Sequence, residues 1–105
     1  MPAYSLTEVE ITDQDGAQRY AQLARAAVLR HGGRYLALAA TPTAAEGQWP
    51  SSQRIVLIEF PSMEHLRAWY DSEEYAPAKE LAKTALRRRL LFVDGNVSSA
   101  SATSQ

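Results

Sequence analysis

An α+β domain built on one four-stranded antiparallel sheet is what the sequence predicts. Three observations lead there. Stretches with strand and helix periods follow one another as strand, helix, strand, strand, helix, strand. The second helical stretch is interrupted near a proline, Pro77. The stretch richest in branched residues, "QRIVLIEF" at 53–60, is apolar on both of its faces. With 105 residues the chain has the length of one domain, assigned here to 1–95, with the small polar stretch 96–105 expected to be a flexible tail.

The elements follow in order. "AYSLTEVEIT" (3–12) alternates as a strand, with Tyr4, Leu6, Glu8 and Glu10 on one face and Thr7, Val9 and Ile11 on the other. Asp13 or Asp15 can cap a helix beginning near 16, on which Tyr20, Leu23, Ala24, Ala27 and Val28 form an apolar stripe. "HGG" (31–33) ends it, since glycine takes the left-handed conformation cheaply. "RYLALAA" (34–40) is the second strand, with Tyr35, Ala37 and Ala39 opposed to Leu36, Leu38 and Ala40. A proline-containing loop (41–52) precedes the third strand, 53–60.

Pro61 stops that strand and Ser62 caps the next helix, whose buried stripe is Met63, Leu66, Trp69 and Tyr70. "DSEEYAP" (71–77) breaks the helix, and Pro77 suits the first turn of a last one running to about 88, with Leu81, Ala82, Ala85 and Leu86 inward. "RLLFVD" (89–94) is the fourth strand. The arginine run 87–89 then reads as a solvated helix face. This is the ferredoxin-like βαββαβ arrangement, with both helices on one side of the sheet. One of the two apolar faces, either Ile55 and Leu57 or Val56, Ile58 and Phe60, would then meet water as a large patch, so a homodimer packed sheet to sheet is expected.

Several function classes lose their support. Eleven Lys and Arg against twelve Asp and Glu give a net charge of −1, which gives no reason to expect nucleic acid or an anionic membrane as a partner. No cysteine is present, so thiolate and disulfide chemistry is excluded. No leader pattern opens the chain and no apolar run approaches the ~20 residues of a membrane span; a cytoplasmic protein is expected. HExxH, EF-hand, GxGxxG, GKS/T and GxSxG patterns are all missing, so no metal and no cofactor is assigned.

"HGGRYL", Glu46 and Pro50, then "RIVLIEFPSMEHLRAWYDSEEY" (54–75) and "VDG" (93–95) together resemble the DUF1330 family of the dimeric α/β-barrel superfamily. The resemblance spans about 3–95 and implies that the dimer closes a barrel. Its matching polar positions are Arg54, Glu59, Trp69, Tyr70, Ser72 and Tyr75, and Asp13 and Gly33 also match; "SEEY" departs from a pattern that often has proline after the serine. The wider superfamily includes small oxygenases, isomerases and ligand-binding proteins that use the cleft between sheet and helices, but a shared scaffold transfers none of those activities.

Glu59, Tyr75 and Tyr70 are the candidate catalytic residues. Glu59 sits amid an apolar strand, where burial would raise its pKa toward that of a general base, or a structural ion pair would hold it. Tyrosines bring an apolar ring and a hydroxyl that needs a partner when buried. Arg54, Trp69, Trp49 and Ser72 are candidate ligand contacts: Arg54 as an anion anchor or a strand-edge ion pair, Trp69 as pocket wall or core, Trp49 as lid or plug. His31 beside the glycines reads as a capping residue and His65 as a helix-surface residue. Three functions stay open: a cofactor-independent isomerase, cyclase or oxygenase acting on a small organic molecule; a noncatalytic ligand binder; and a structural or regulatory dimer.

Overall fold

A computed structural model describes residues 1–95; the tail expected at 96–105 lies outside the described residues. Strands β1 (Ala3–Ile11), β2 (Arg34–Ala40), β3 (Arg54–Phe60) and β4 (Leu86–Asp94) form one antiparallel sheet in the order β2-β3-β1-β4. Helices α1 (Gln14–Arg30), α2 (Met63–Tyr70) and α3 (Ala76–Ala85) complete the ferredoxin-like topology. The sheet is open, with β2 and β4 as its edges.

Burial along β1 alternates strictly, and it separates two faces. Ala3, Ser5, Thr7 and Val9 are buried, opposite Phe60, Ile58 and Val56 of β3 and Phe92, Leu90 and Arg88 of β4. This face and the helices enclose a core of Ala24, Ala27, Val28, Ile58, Phe60, Leu66, Trp69, Tyr75 and Ala78. The packing is tight where α1 turns into β2: a Cβ on Gly33 would lie 2.7 Å from the Phe60 ring and 2.8 Å from Val28. The opposite face carries Tyr4, Leu6, Ile55, Leu57, Leu91 and Val93, and the last two are 50% and 42% exposed.

The helix starts and stops behave largely as their chemistry dictates. Ser62 Oγ accepts a hydrogen bond from the His65 amide at 3.1 Å, and Pro77 stands in the first turn of α3. Asp13 takes the N-cap position of α1 without a side-chain capping bond. His31 holds the C-cap position, and Gly32 follows in the left-handed region at φ 81°.

Two expectations are corrected. α3 ends at Ala85 rather than near 88, and β4 begins at Leu86 rather than 89. The Ala85 carbonyl accepts from the amides of Thr12 and Asp13 at 2.9 and 3.2 Å, ending the helix there. Beyond it, nine residues pair with the nine of β1, from Ile11–Leu86 to Ala3–Asp94. Ladder hydrogen bonds thus override helical propensity, a routine outcome of tertiary context, and the arginine run lies on a strand. Strand β2 also fails to alternate regularly. Its register slips between Tyr35 and Ala37 and again before Ala40, so Tyr35 faces the helices opposite Ile58 while Ala37 sits opposite Leu57 on the open face. Such bulges re-aim side chains, and here Ala39 takes φ 50°.

Candidate functional site

A cavity of about 310 Å³ lies between the helical face of the sheet and α1. Its origin is compositional. Helix α1 presents Ala17, Ala21 and Ala24, and β1 presents Ser5 and Thr7, so short side chains meet across the layer and leave space. Interiors are otherwise close-packed, with few voids larger than a water molecule. Val9, Val56, Ile58 and Leu90 supply apolar walls, with Trp69 from α2, Tyr35 and Leu38 from β2, and Tyr20 and Arg25 from α1.

The polar groups gather around Arg88. Its Nη1 donates to the Tyr20 hydroxyl at 2.7 Å and to the Tyr75 hydroxyl at 3.2 Å, and the two hydroxyls share a hydrogen bond of 2.7 Å. The guanidinium also stands 5.2 Å from the Tyr20 ring centroid, within cation–π range. Burial pushes the Tyr75 phenol well above its usual range. Burial likewise pushes Tyr35 up to about 12, with Tyr20 adding to the rise and Arg25 opposing it. Burial therefore keeps both phenols protonated near pH 7. Two residues of the lining, Ser5 and Trp69, also carry polar atoms, Oγ and Nε1, that are buried without a hydrogen-bond partner among the described residues.

The residues singled out from the sequence fall into separate places. Tyr75 is fully buried, its ring 4.4 Å from that of Trp69, and its hydroxyl braces Arg88. Trp69 is 1% exposed, packs on Phe60 and lines the cavity. Tyr70 packs edge-on against Phe92 under the Lys79 ammonium, away from the cavity wall. Ser72 is engaged locally, donating to the Trp69 carbonyl at 2.8 Å and accepting from the Tyr75 amide at 3.1 Å. It shapes the break between α2 and α3.

Glu59 is on the other face of the sheet. Its carboxylate accepts from Arg34 at 2.7 Å and from the Tyr4 hydroxyl at 3.3 Å. The Arg34 hydrogen bond, against a smaller opposing effect of burial, holds its pKa below the usual carboxylate value. Within the chain Glu59 thus has the ion-pair partner that was the alternative to a buried base. Arg54 opens β3, exposed, and donates to Thr41 Oγ1 at 2.8 Å. Trp49 donates to the Gln53 carbonyl at 3.0 Å and borders a second, more open depression with Glu8, Arg87 and Arg89. His31 contacts Glu74 at 3.1 Å, and His65 Nδ1 is 2.7 Å from the Ser62 hydroxyl.

Sequence reasoning missed Arg88, Tyr20, Tyr35 and Ser5. A signal for Arg88 existed: read as a strand, "LRRRLLF" puts Arg88 on the same face as Leu86, Leu90 and Phe92, a cation among apolar neighbours. The flanking Arg87 and Arg89 meet Glu10 and Glu8 at 3.0 and 2.6 Å on the open face, which matches the Glu-x-Glu alternation of β1.

Comparison with known proteins places the chain among relatives of the same fold. The family model described as a domain of unknown function, DUF1330, matches residues 2–96. No curated protein matches the sequence. A crystal structure of a protein of unknown function from Rhodopseudomonas palustris is 15% identical with TM-score 0.74, over 91% of this chain and 83% of that one. SnoaB, a cofactor-independent oxygenase from Streptomyces nogalater, is 7% identical with TM-score 0.68, over 93% and 96%. A dimeric protein of unknown function and ferredoxin-like fold from Bacteroides fragilis is 11% identical with TM-score 0.54, over 89% and 95%. At such identities the likeness is one of fold.

Proposed function

The chain belongs to the DUF1330 family, whose function is unknown, and we propose that it takes a small organic molecule into the cavity between α1 and the sheet and acts on it without a cofactor. The cavity itself carries this reading. A largely apolar space of about 310 Å³ with a few convergent polar groups is the usual form of a small-molecule site. The likeness to a cofactor-independent oxygenase supports an oxygenase-type reaction on that molecule. In that chemistry Arg88, with Tyr20 and Tyr75 behind it, would stabilise negative charge developing on a substrate oxygen.

A second reading is a noncatalytic ligand binder. It is favoured by the lining, in which no carboxylate or histidine takes part among the described residues, so none of these supplies an ordinary general base. Dioxygen uptake separates the two. In an oxygen electrode, a panel of hydroxylated aromatic compounds is offered to the wild type and to Val56→Phe, which fills the cavity. Uptake that the substitution abolishes supports catalysis. Calorimetric binding without uptake supports the binder. If no compound binds or reacts, the cavity is not a ligand site.

The open sheet face calls for a partner as well. Tyr4, Leu6, Ile55, Leu57, Leu91 and Val93 form an apolar surface, flanked by the pairs Arg34–Glu59, Arg89–Glu8 and Arg87–Glu10. A second copy of the chain packed on that face buries it, in keeping with the dimeric Bacteroides fragilis relative. Two sheets so joined would make the barrel that the family resemblance implies.

A further inference from the structure

We infer that the occupant of the cavity is an organic monoanion: an apolar body bearing a single anionic oxygen group that is held by Arg88. This rests on the cavity being a ligand site and adds the class of ligand.

The first observation is an unpaired charge. The three consecutive arginines of β4 are treated differently by the fold. Arg87 and Arg89 each have a glutamate within 3.0 Å. Arg88, turned to the helices and half-buried, has no carboxylate within salt-bridge distance among the described residues; its side-chain partners are the Tyr20 and Tyr75 hydroxyls. Burial holds the Tyr75 phenol protonated, and its hydroxyl shares a 2.7 Å hydrogen bond with that of Tyr20, so neither partner is a carboxylate. A guanidinium keeps its charge at any ordinary pH. The protein therefore carries an uncompensated cation against apolar walls, an arrangement that costs stability unless a counter-charge arrives.

The second observation concerns direction and number of donors. Both side-chain hydrogen bonds of Arg88 leave from Nη1, so Nε and Nη2 remain for another acceptor, the pair of nitrogens that suits a bidentate oxyanion. Arg25, exposed on the lining and 6.0 Å from the Tyr35 ring centroid, adds positive potential on the approach.

Isothermal titration calorimetry with a matched pair tests the charge separately from the cavity. The probes are 2-naphthoate and the neutral 2-naphthylmethanol, which share a body and differ in charge. Wild type should bind the naphthoate at least tenfold more tightly. Arg88→Met should erase that preference by weakening the naphthoate alone, and Val56→Phe should abolish binding of both. Equal affinities in wild type would overturn the charge inference and leave the cavity reading standing. A preference that survives in Arg88→Met would remove Arg88 as its holder. No binding of either probe to wild type, or binding that Val56→Phe leaves intact, would overturn both readings. The wild-type comparison stands even if a variant fails to fold.

Discussion

Tyr75→Phe removes one oxygen atom from the centre of the molecule and keeps the ring that packs 4.4 Å from Trp69 and 5.8 Å from Tyr70. The deleted hydroxyl bonds Tyr20 at 2.7 Å and Arg88 at 3.2 Å. A neutral hydrogen bond contributes about 1 kcal/mol net and one to a charged group about 1.5–3 kcal/mol. The longer contact to Arg88 belongs at the lower end, and Arg88 keeps its 2.7 Å bond to Tyr20. The expected loss is therefore about 2 kcal/mol, against about 3–5 kcal/mol for removal of the whole ring. In urea, with slopes of roughly 1–3 kcal/mol per molar, the midpoint should fall by about 1 M.

Unfolding would be followed by tryptophan fluorescence at one fixed protein concentration, because a dimer's apparent stability depends on concentration. Tyr20→Phe and the double variant complete a cycle. Since both hydroxyls serve the same bond and the same guanidinium, the double variant should lose roughly 1 kcal/mol less than the sum of the singles. A Tyr75→Phe protein within about 0.5 kcal/mol of wild type, or strictly additive singles, would refute the hydroxyl bracket around Arg88.

Two further outcomes are expected. Leu91→Lys places a charge in the middle of the open face beside Leu6, its partner in the ladder; sedimentation equilibrium should show the wild type as a dimer and the variant as a folded monomer, and a monomeric wild type would dismiss the sheet-to-sheet interface. Glu59, held below its usual 4.5 chiefly by Arg34, stabilises the fold fully above that value and loses this contribution as pH falls through its lower folded-state pKa. Arg34→Ala should therefore melt below wild type at pH 7, with the gap in Tm closing below about pH 4.5; a gap that stays constant down to pH 3 would show that the pair has no linkage to folding.

Local chemistry was enough to read most of the fold. Period-two and helical spacing located every element, because side-chain direction follows from backbone geometry alone. Pro61 with Ser62, and His31 with its glycines, marked boundaries through fixed φ angles and capping hydrogen bonds, which are also local. The two-sided apolarity of 54–60 already implied an open face that needs cover.

Other features depended on partners distant in the chain. Residues 86–88 extend as strand because Ile11, Glu10 and Val9 of β1 lie alongside them, and no local preference in "TALRRRLL" could declare that. Once they are strand, Arg88 turns inward to Tyr20 and Tyr75, 68 and 13 positions away. Glu59 was conspicuous as a carboxylate in an apolar strand, but which face holds the helices settles its surroundings, and it lies on the opposite, open face beside Arg34. The sequence by itself determined the elements, their order and the sheet's demand for cover, since these follow from backbone geometry and apolar area. Only the tertiary structure decided where the charged and hydroxyl groups converge, because that convergence is set by strand register and by the space that small residues of α1 and β1 leave between their layers.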